Sequence, residues 1–207
     1  MKAKFGIFCM ILGAVLVLGA LGLVVYNQNE AAQAQQISAA VLPELMEKIR
    51  QEKSEAVTEP PTQQIPESLR TPEDVEMAEM VIDGERYIGC LSVPGLELEL
   101  PVMSDWSYPQ LRKAPCRYYG TALGGDLVLM AHNYARHFGY ISQLKAGDPV
   151  YFTDADGNVH CYEVAAVDVL APTAVEEMTA GDFDLTLFTC TYGGKSRVTV
   201  FCDRIEL

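Results

Sequence analysis

The hydrophobic pattern divides the chain near residue 26. Phe5 to Tyr26 (FGIFCMILGAVLVLGALGLVVY) is 22 residues without a charge. As helix it spans roughly 33 Å, enough to cross a hydrocarbon layer of about 30 Å. Beyond it, Ile37, Val41, Leu42, Leu45, Met46 and Ile49 recur at helical spacing, which predicts an amphipathic stretch interrupted by Pro43. Its apolar face suits a membrane surface, a second copy or the folded domain. Thr58 to Asp74 (TEPPTQQIPESLRTPED) holds Pro60, Pro61, Pro66 and Pro72 and predicts an extended linker.

From about Arg86 the period changes to two. Tyr87–Val93 stops at Pro94-Gly95, and Leu96, Leu98 and Leu100 then alternate with Glu97 and Glu99, as in a half-buried strand. Asp126–Ala131 is a compact apolar run. Val150–Thr153 and Val159–Leu170 flank Asp154-Ala155-Asp156-Gly157-Asn158, a hairpin turn in which Gly157 supplies positive φ. Leu185–Cys190 and Arg197–Cys202 flank Tyr192-Gly193-Gly194. Short helical pieces are expected over Phe138–Leu144 and from Pro172 to Met178. Many short strands and little helix predict a mainly β domain, a closed or nearly closed barrel.

Charge gives the apolar segment a direction. Lys2 and Lys4 precede it and the next basic residue is Lys48, so the positive-inside rule puts residues 1–4 in the cytoplasm and the rest outside. A cleaved signal peptide is the competing reading, because Ala32-Gln33-Ala34 resembles a cleavage tripeptide. The 22-residue run exceeds the usual signal core of about 7–15 residues and favours an uncleaved anchor. The expected organisation is a cytoplasmic end (1–4), an anchor (5–26), a stalk and linker (27–85) and a folded domain (86–207). The net charge of −13, with no cluster of Lys and Arg, excludes a surface that tracks nucleic acid.

Cys9 lies in the apolar segment, and Cys90, Cys116, Cys161, Cys190 and Cys202 follow it. Five is odd, so at least one thiol outside the membrane has no partner within the chain. Cys190 ends an apolar strand, where rigid backbone meets an open loop. A cysteine nucleophile needs a basic or cationic neighbour. His132 also ends an apolar strand, and Arg197 begins the strand that returns past Cys190. Arg197 is a forked donor suited to an oxyanion. Thr189 and Tyr192 flank the cysteine as candidate substrate contacts. Asn133, adjacent to His132, is expected to point away from it, and Arg136 and His137 to lie in a solvated loop. His160 and Cys161, adjacent on a strand, face opposite ways. Cys202 shares the core face with Val198 and Val200. No cofactor or metal-ligand spacing is present, and Asp154, Asp156 and Asn158 fit a hairpin turn better than a metal loop.

LTLFTC followed by RVTVFCDR resembles the signature of the sortases, a TLxTC-type strand carrying the nucleophile and a following strand carrying an arginine. MAHNYARHFGYISQLKAGDPVYF is similar to the sortase block whose first histidine is catalytic, and YIGCLSVPGLELELPVM resembles the first two strands of that family. The matches run in family order over Tyr87–Leu207. The resemblance implies a closed eight-stranded sortase-like β-barrel and a membrane-anchored cysteine transpeptidase of the Gram-positive type. Cys190, His132 and Arg197 would be its catalytic residues. The implied partners are proteins bearing an LPxTG-like C-terminal sorting peptide and an amine from a cell-wall precursor or a pilin lysine. The subclass stays open. Two other functions use the same residues differently: a secreted cysteine hydrolase that passes the acyl group to water, and a non-catalytic tethered barrel in which Cys190 is buried.

Overall fold

The computed structural model describes residues 2–58 and 76–206. Among these, nine strands follow one another as β1 (Met80–Ile82), β2 (Glu85–Val93), β3 (Leu98–Met103), β4 (Cys116–Tyr119), β5 (Leu127–Met130), β6 (Pro149–Asp154), β7 (Val159–Leu170), β8 (Leu185–Cys190) and β9 (Arg197–Arg204). In space they run β2-β3-β4-β5-β8-β9-β7-β6, and β6 pairs back onto β2. The result is the eight-stranded closed barrel expected, with β1 appended along β2. β3–β4 and β5–β8 are parallel pairs and the other pairings are antiparallel, so the barrel is mixed.

Closure depends on one glycine. Gly89 sits at a bulge in β2 opposite Asp154 of β6, with φ +147°. A Cβ there would meet the Thr153 carbonyl, so only glycine lets the last strand approach the first. The barrel interior is filled by Leu91, Val102, Leu127, Leu129, Phe152, Tyr162, Leu187 and Val200, all essentially sealed from solvent. Cys202 joins them, as its alternation with Val200 predicts.

The strand registers sort the loops between the two barrel ends. Cys190 pairs with Arg197 and Leu170 pairs with Arg197, so β7 and β8 end where β9 begins. β5 runs parallel to β8 and ends there too. The β6–β7 hairpin lies at the opposite end. Its turn is closed by Asp154, which accepts from the Asn158 backbone N–H at 2.8 Å, and Gly157 takes φ +79° as predicted.

The helical elements differ more from expectation. The segment predicted as helix over 138–144 is a single 3₁₀ turn, Ile141–Gln143, and the turn after Pro172 becomes α3 (Val175–Thr179). Between β3 and β4 lies α2 (Tyr108–Leu111), capped by the Ser107 hydroxyl. The main difference is α1, one unbroken helix from Lys2 to Thr58 that continues through Pro43. Ala34, Ser38, Val41, Leu45 and Ile49 form one buried stripe along it. Val41, Leu45 and Ile49 pack on Met80, Ile82, Tyr87 and Met103, and this tertiary contact on both sides of Pro43 outweighs the local cost of the proline. Of the three partners open to the amphipathic stretch, the domain is the one it meets. The region expected as a stalk over 27–85 is therefore partly structural: its first half is docked helix and Met80–Ile82 belongs to the sheet. The proline-rich linker expected over 58–74 lies almost wholly outside the described residues. The N-terminal part of α1, by contrast, exposes its apolar side chains and is long and apolar enough to cross a membrane.

Gly89→Ala is expected to lower the unfolding free energy by about 2 kcal/mol or more, since it adds both a positive-φ strain and a backbone clash. Urea unfolding of the two proteins side by side measures the difference.

Candidate active site

Three chain segments converge at the barrel rim where β5 and β8 end. β8 reads Leu-Thr-Leu-Phe-Thr-Cys, and its first five residues are buried. Leu185 and Leu187 face the interior. Phe188 faces outward yet is covered, because Met178 of α3 folds over it and over Val128. Cys190 is the first residue of the strand to emerge.

The registers bring its neighbours to it. Cys190 and Arg197 are directly paired across β8–β9, so their side chains lie on one face of the sheet. In the parallel β5–β8 pair, Met130 stands beside Phe188. The Ala131 N–H donates to the Phe188 carbonyl at 3.2 Å, which carries the pairing one residue further. His132 follows directly and comes level with Cys190. Cys190 and Arg197 are thus set by strand pairing, and His132 stands two residues past the end of β5 with its carbonyl accepting from the Phe138 N–H at 3.2 Å.

Thr189, expected as a substrate contact, has another role. It is 3% exposed and its hydroxyl donates to the Ala131 carbonyl at 2.8 Å. This bond ties the residue before Cys190 to the residue before His132. Tyr192 is 92% exposed at the tip of the β8–β9 loop. That loop turns on Gly193 and Gly194, both at positive φ, and Thr191 and Ser196 close its base. Arg197 Nη1 donates to the carbonyls of Gly194 and Ser196, each at 3.2 Å. The arginine therefore braces the loop that follows the cysteine.

His137 corrects the expectation of a solvated loop. It is fully buried, and burial followed by the neighbouring His132 pushes its imidazole down to about 4. Tyr134 lies between the two histidines, 4.9 Å from the His132 ring and 5.5 Å from that of His137. Arg136 is exposed, as expected. His160 is remote from this rim, hydrogen-bonded to Asp154 at 2.8 Å on the opposite hairpin.

One contributor had no sequence signal. Glu30 of α1 accepts from the Tyr134 hydroxyl at 3.5 Å and from the Tyr26 hydroxyl at 2.7 Å, and Arg112 lies 3.9 Å from it. Burial holds the His132 imidazole below the ordinary histidine range, Glu30 pulls it up and Arg112 pushes it down. Glu30 lies more than a hundred residues from His132 in sequence, and no pattern links the two. Asn27, Gln28 and Ala31 of the same helix line a cleft with Asn133, Tyr134, Tyr192 and Gly193.

Cys90, Cys116, Cys161, Cys190 and Cys202 are free thiols, and of these Cys190 alone is exposed. Burial pushes Cys90, Cys116 and Cys202 up to about 12. One accessible thiol thus shares the barrel rim with a histidine and an arginine, and the comparisons with known proteins agree with that arrangement. A profile of the sortase domain matches residues 91–205, more than half of the chain. The chain belongs to the sortase family. It is 30% identical to sortase A of Bacillus anthracis over 125 residues, a match covering 58% of this chain and 59% of that relative's length. Among solved sortases, the C1 enzyme of Streptococcus suis is 33% identical with a TM-score of 0.53, covering 58% of this chain and 74% of the other. The fold is shared with a Clostridium perfringens sortase D5 transpeptidase at a TM-score of 0.60 and 19% identity, covering 83% of this chain and 99% of the other. Sortases of types A, C and D thus all resemble it.

Two outcomes follow. Iodoacetamide on the native protein should label Cys190 well ahead of Cys90, Cys116, Cys161 and Cys202, with those four becoming reactive only in denaturant; peptide mapping reads this directly. Glu30→Gln removes the group that raises the His132 pKa and keeps the groups that lower it, so an NMR titration should find His132 deprotonating at lower pH in the variant.

Proposed function

We propose that this sortase is a membrane-anchored cysteine transpeptidase acting on an LPxTG-like C-terminal sorting peptide and passing the acyl group to an amine. The observation that carries the reading is the pairing of Cys190 with Arg197 on one sheet face, with His132 level with them and the other four mapped thiols buried. The anchor reading adds that residues 1–4 are cytoplasmic and the barrel is outside the cell.

With its thiol proton held by His132, Cys190 Sγ attacks the carbonyl carbon of the threonine-like residue, and the carbonyl π electrons move to oxygen. The Arg197 guanidinium stabilises that oxyanion, a charge absent from the ground state. The C–N bond then breaks as His132 delivers a proton to the departing amine, leaving a thioester on Cys190. An incoming amine attacks the thioester, His132 takes its proton, and Cys190 leaves as the thiolate. A new amide replaces the old one, and no redox step or cofactor enters.

The outer sheet face beside Cys190 is packed with apolar side chains. Val128, Met178 and Phe188 form a buried apolar group joined by Tyr118, Met130 and Leu170. Phe188 sits two residues before Cys190 on the same face, and Tyr118 meets it edge-on at 5.2 Å. A leucine-like side chain upstream of the scissile bond would meet this cluster through its partly exposed members Tyr118, Met130 and Leu170. The amine acceptor is a cell-wall precursor or a pilin lysine.

The full chain in detergent, given a panel of sorting-like peptides and an amine, should release the C-terminal fragment and form the acyl–amine adduct. Cys190→Ala is expected to abolish both. His132→Ala should cost about 10²–10⁴-fold in rate, and Arg197→Lys about 10²-fold or more in kcat/KM. Turnover undiminished in Cys190→Ala would overturn the mechanism. Fragment release without adduct at saturating amine would make the protein a hydrolase instead.

A further inference from the structure

We propose that the β8–β9 loop, with Tyr192 at its tip, is seated in the headgroup layer of the membrane, so that the rim carrying Cys190 faces the bilayer surface. The inference rests on the reading of α1 as a membrane anchor and goes beyond it by fixing how the barrel stands on that anchor.

α1 is continuous past the end of its apolar run. The apolar run ends at Tyr26, and Asn27, Gln28, Asn29 and Glu30 follow without a break in the helix. At about 1.5 Å per residue, Asn27, Gln28 and Ala31 lie roughly 1.5, 3 and 7.5 Å beyond Tyr26 along the axis. The headgroup layer on one side of a bilayer is roughly 5–7.5 Å deep, half the difference between its full and hydrocarbon thicknesses. These α1 residues therefore sit at headgroup depth. They line a common cleft with Asn133, Tyr134, Tyr192 and Gly193, which brings the β8–β9 loop to the same level.

The contacts along the helix give the barrel its orientation. Glu30 meets Tyr134, Ser38 donates to the Lys113 carbonyl at 2.9 Å, Lys48 to the Val81 carbonyl at 2.9 Å, and Lys53 to the Gly157 carbonyl at 2.8 Å. Passing up α1 from the membrane, the helix thus meets the catalytic rim first and the β6–β7 hairpin last. The buried stripe Ala34, Ser38, Val41, Leu45 and Ile49 holds that order, since tilting the rim away would expose it.

The loop has the composition that an interface takes. Tyr192 is 92% exposed and packs into nothing in the protein's core. Tyrosine is enriched at membrane interfaces because its ring is apolar and its hydroxyl is wet. Lys195 on the same loop is also exposed, a cation placed to meet anionic lipid although the chain as a whole carries −13. Glu30, the acid of α1 beside this cleft, is engaged by Tyr26, Tyr134 and Arg112. Any donor or acceptor held in the same membrane then reaches Cys190 by lateral diffusion.

Depth-dependent fluorescence quenching tests the seating without reference to activity. The full chain carrying Trp106→Phe is reconstituted into phosphatidylcholine–phosphatidylglycerol vesicles containing brominated lipids, with one indole restored at a time. Tyr192→Trp should be quenched by lipids brominated near the headgroup, several-fold more than Val159→Trp on the opposite end of the barrel. Leu16→Trp should be quenched by lipids brominated near the bilayer centre. Equal quenching of Tyr192→Trp and Val159→Trp, with Leu16→Trp quenched, overturns the seating and leaves the anchor intact. Loss of quenching at Leu16→Trp overturns the anchor and the seating together. Should Trp106→Phe fold poorly, the same variants made with Trp106 retained, less the wild-type signal, give the same comparison.

Discussion

The site depends on one piece of backbone pairing, the parallel alignment of β5 with β8. Parallel strands cannot be joined by a tight turn, so the fold must route the chain through β6, β7 and the α3 connection before β8 can lie beside β5. That detour makes two strands more than fifty residues apart end at the same rim. The Ala131 N–H to Phe188 carbonyl bond and the Thr189 hydroxyl to Ala131 carbonyl bond extend the alignment to the last residue before the chemistry on each side. Antiparallel β9 then needs only a short glycine loop to return Arg197 to Cys190. Precision at the site is therefore a property of the barrel, and the loops that surround it need not supply it.

The same dependence explains why β8 is buried on both faces. A strand with one face on the barrel core and the other in water would alternate. Here the outward Phe188 is covered by Met178, so five buried residues precede the exposed cysteine. The change from buried to open occurs at a single residue. A thiol two positions earlier on the same face would be sealed like Cys202, whose burial pushes it up to about 12.

How much of this was legible in the sequence depends on the distance over which each signal acts. Strand alternation, the Gly157 turn and the odd cysteine count are local, and they located β2, β3, β6–β9 and the accessible thiol. β1 and β4 escaped because three- and four-residue strands are too short to establish a period of two. The docking of α1 was half visible: the spacing of Val41, Leu45 and Ile49 marked an apolar face, but Pro43 suggested a break that tertiary packing overrides. His137 was misplaced because a polar residue between Arg136 and Phe138 reads as loop, whereas the ring is packed against Tyr134. Thr189 was adjacent to Cys190 in sequence, and strand alternation alone did not reveal that its hydroxyl was committed to Ala131. Glu30 was invisible, since its relation to His132 exists only once a helix has been laid along the barrel.

That relation ties the packing of α1 to electrostatics. His132 is partly desolvated, which favours the neutral ring, and the charges opposing and reinforcing that preference are Glu30 on α1 and Arg112 following α2. The Tyr134 ring packed against His132 is also bonded to Glu30 through its hydroxyl, so displacement of α1 would remove a charge and release a packing contact together. A helix that merely tethered the barrel would leave His132 indifferent to its presence. Because Glu30 lies four residues beyond Tyr26 on an unbroken helix, the electrostatic setting of the histidine instead depends on whether the barrel remains packed against α1.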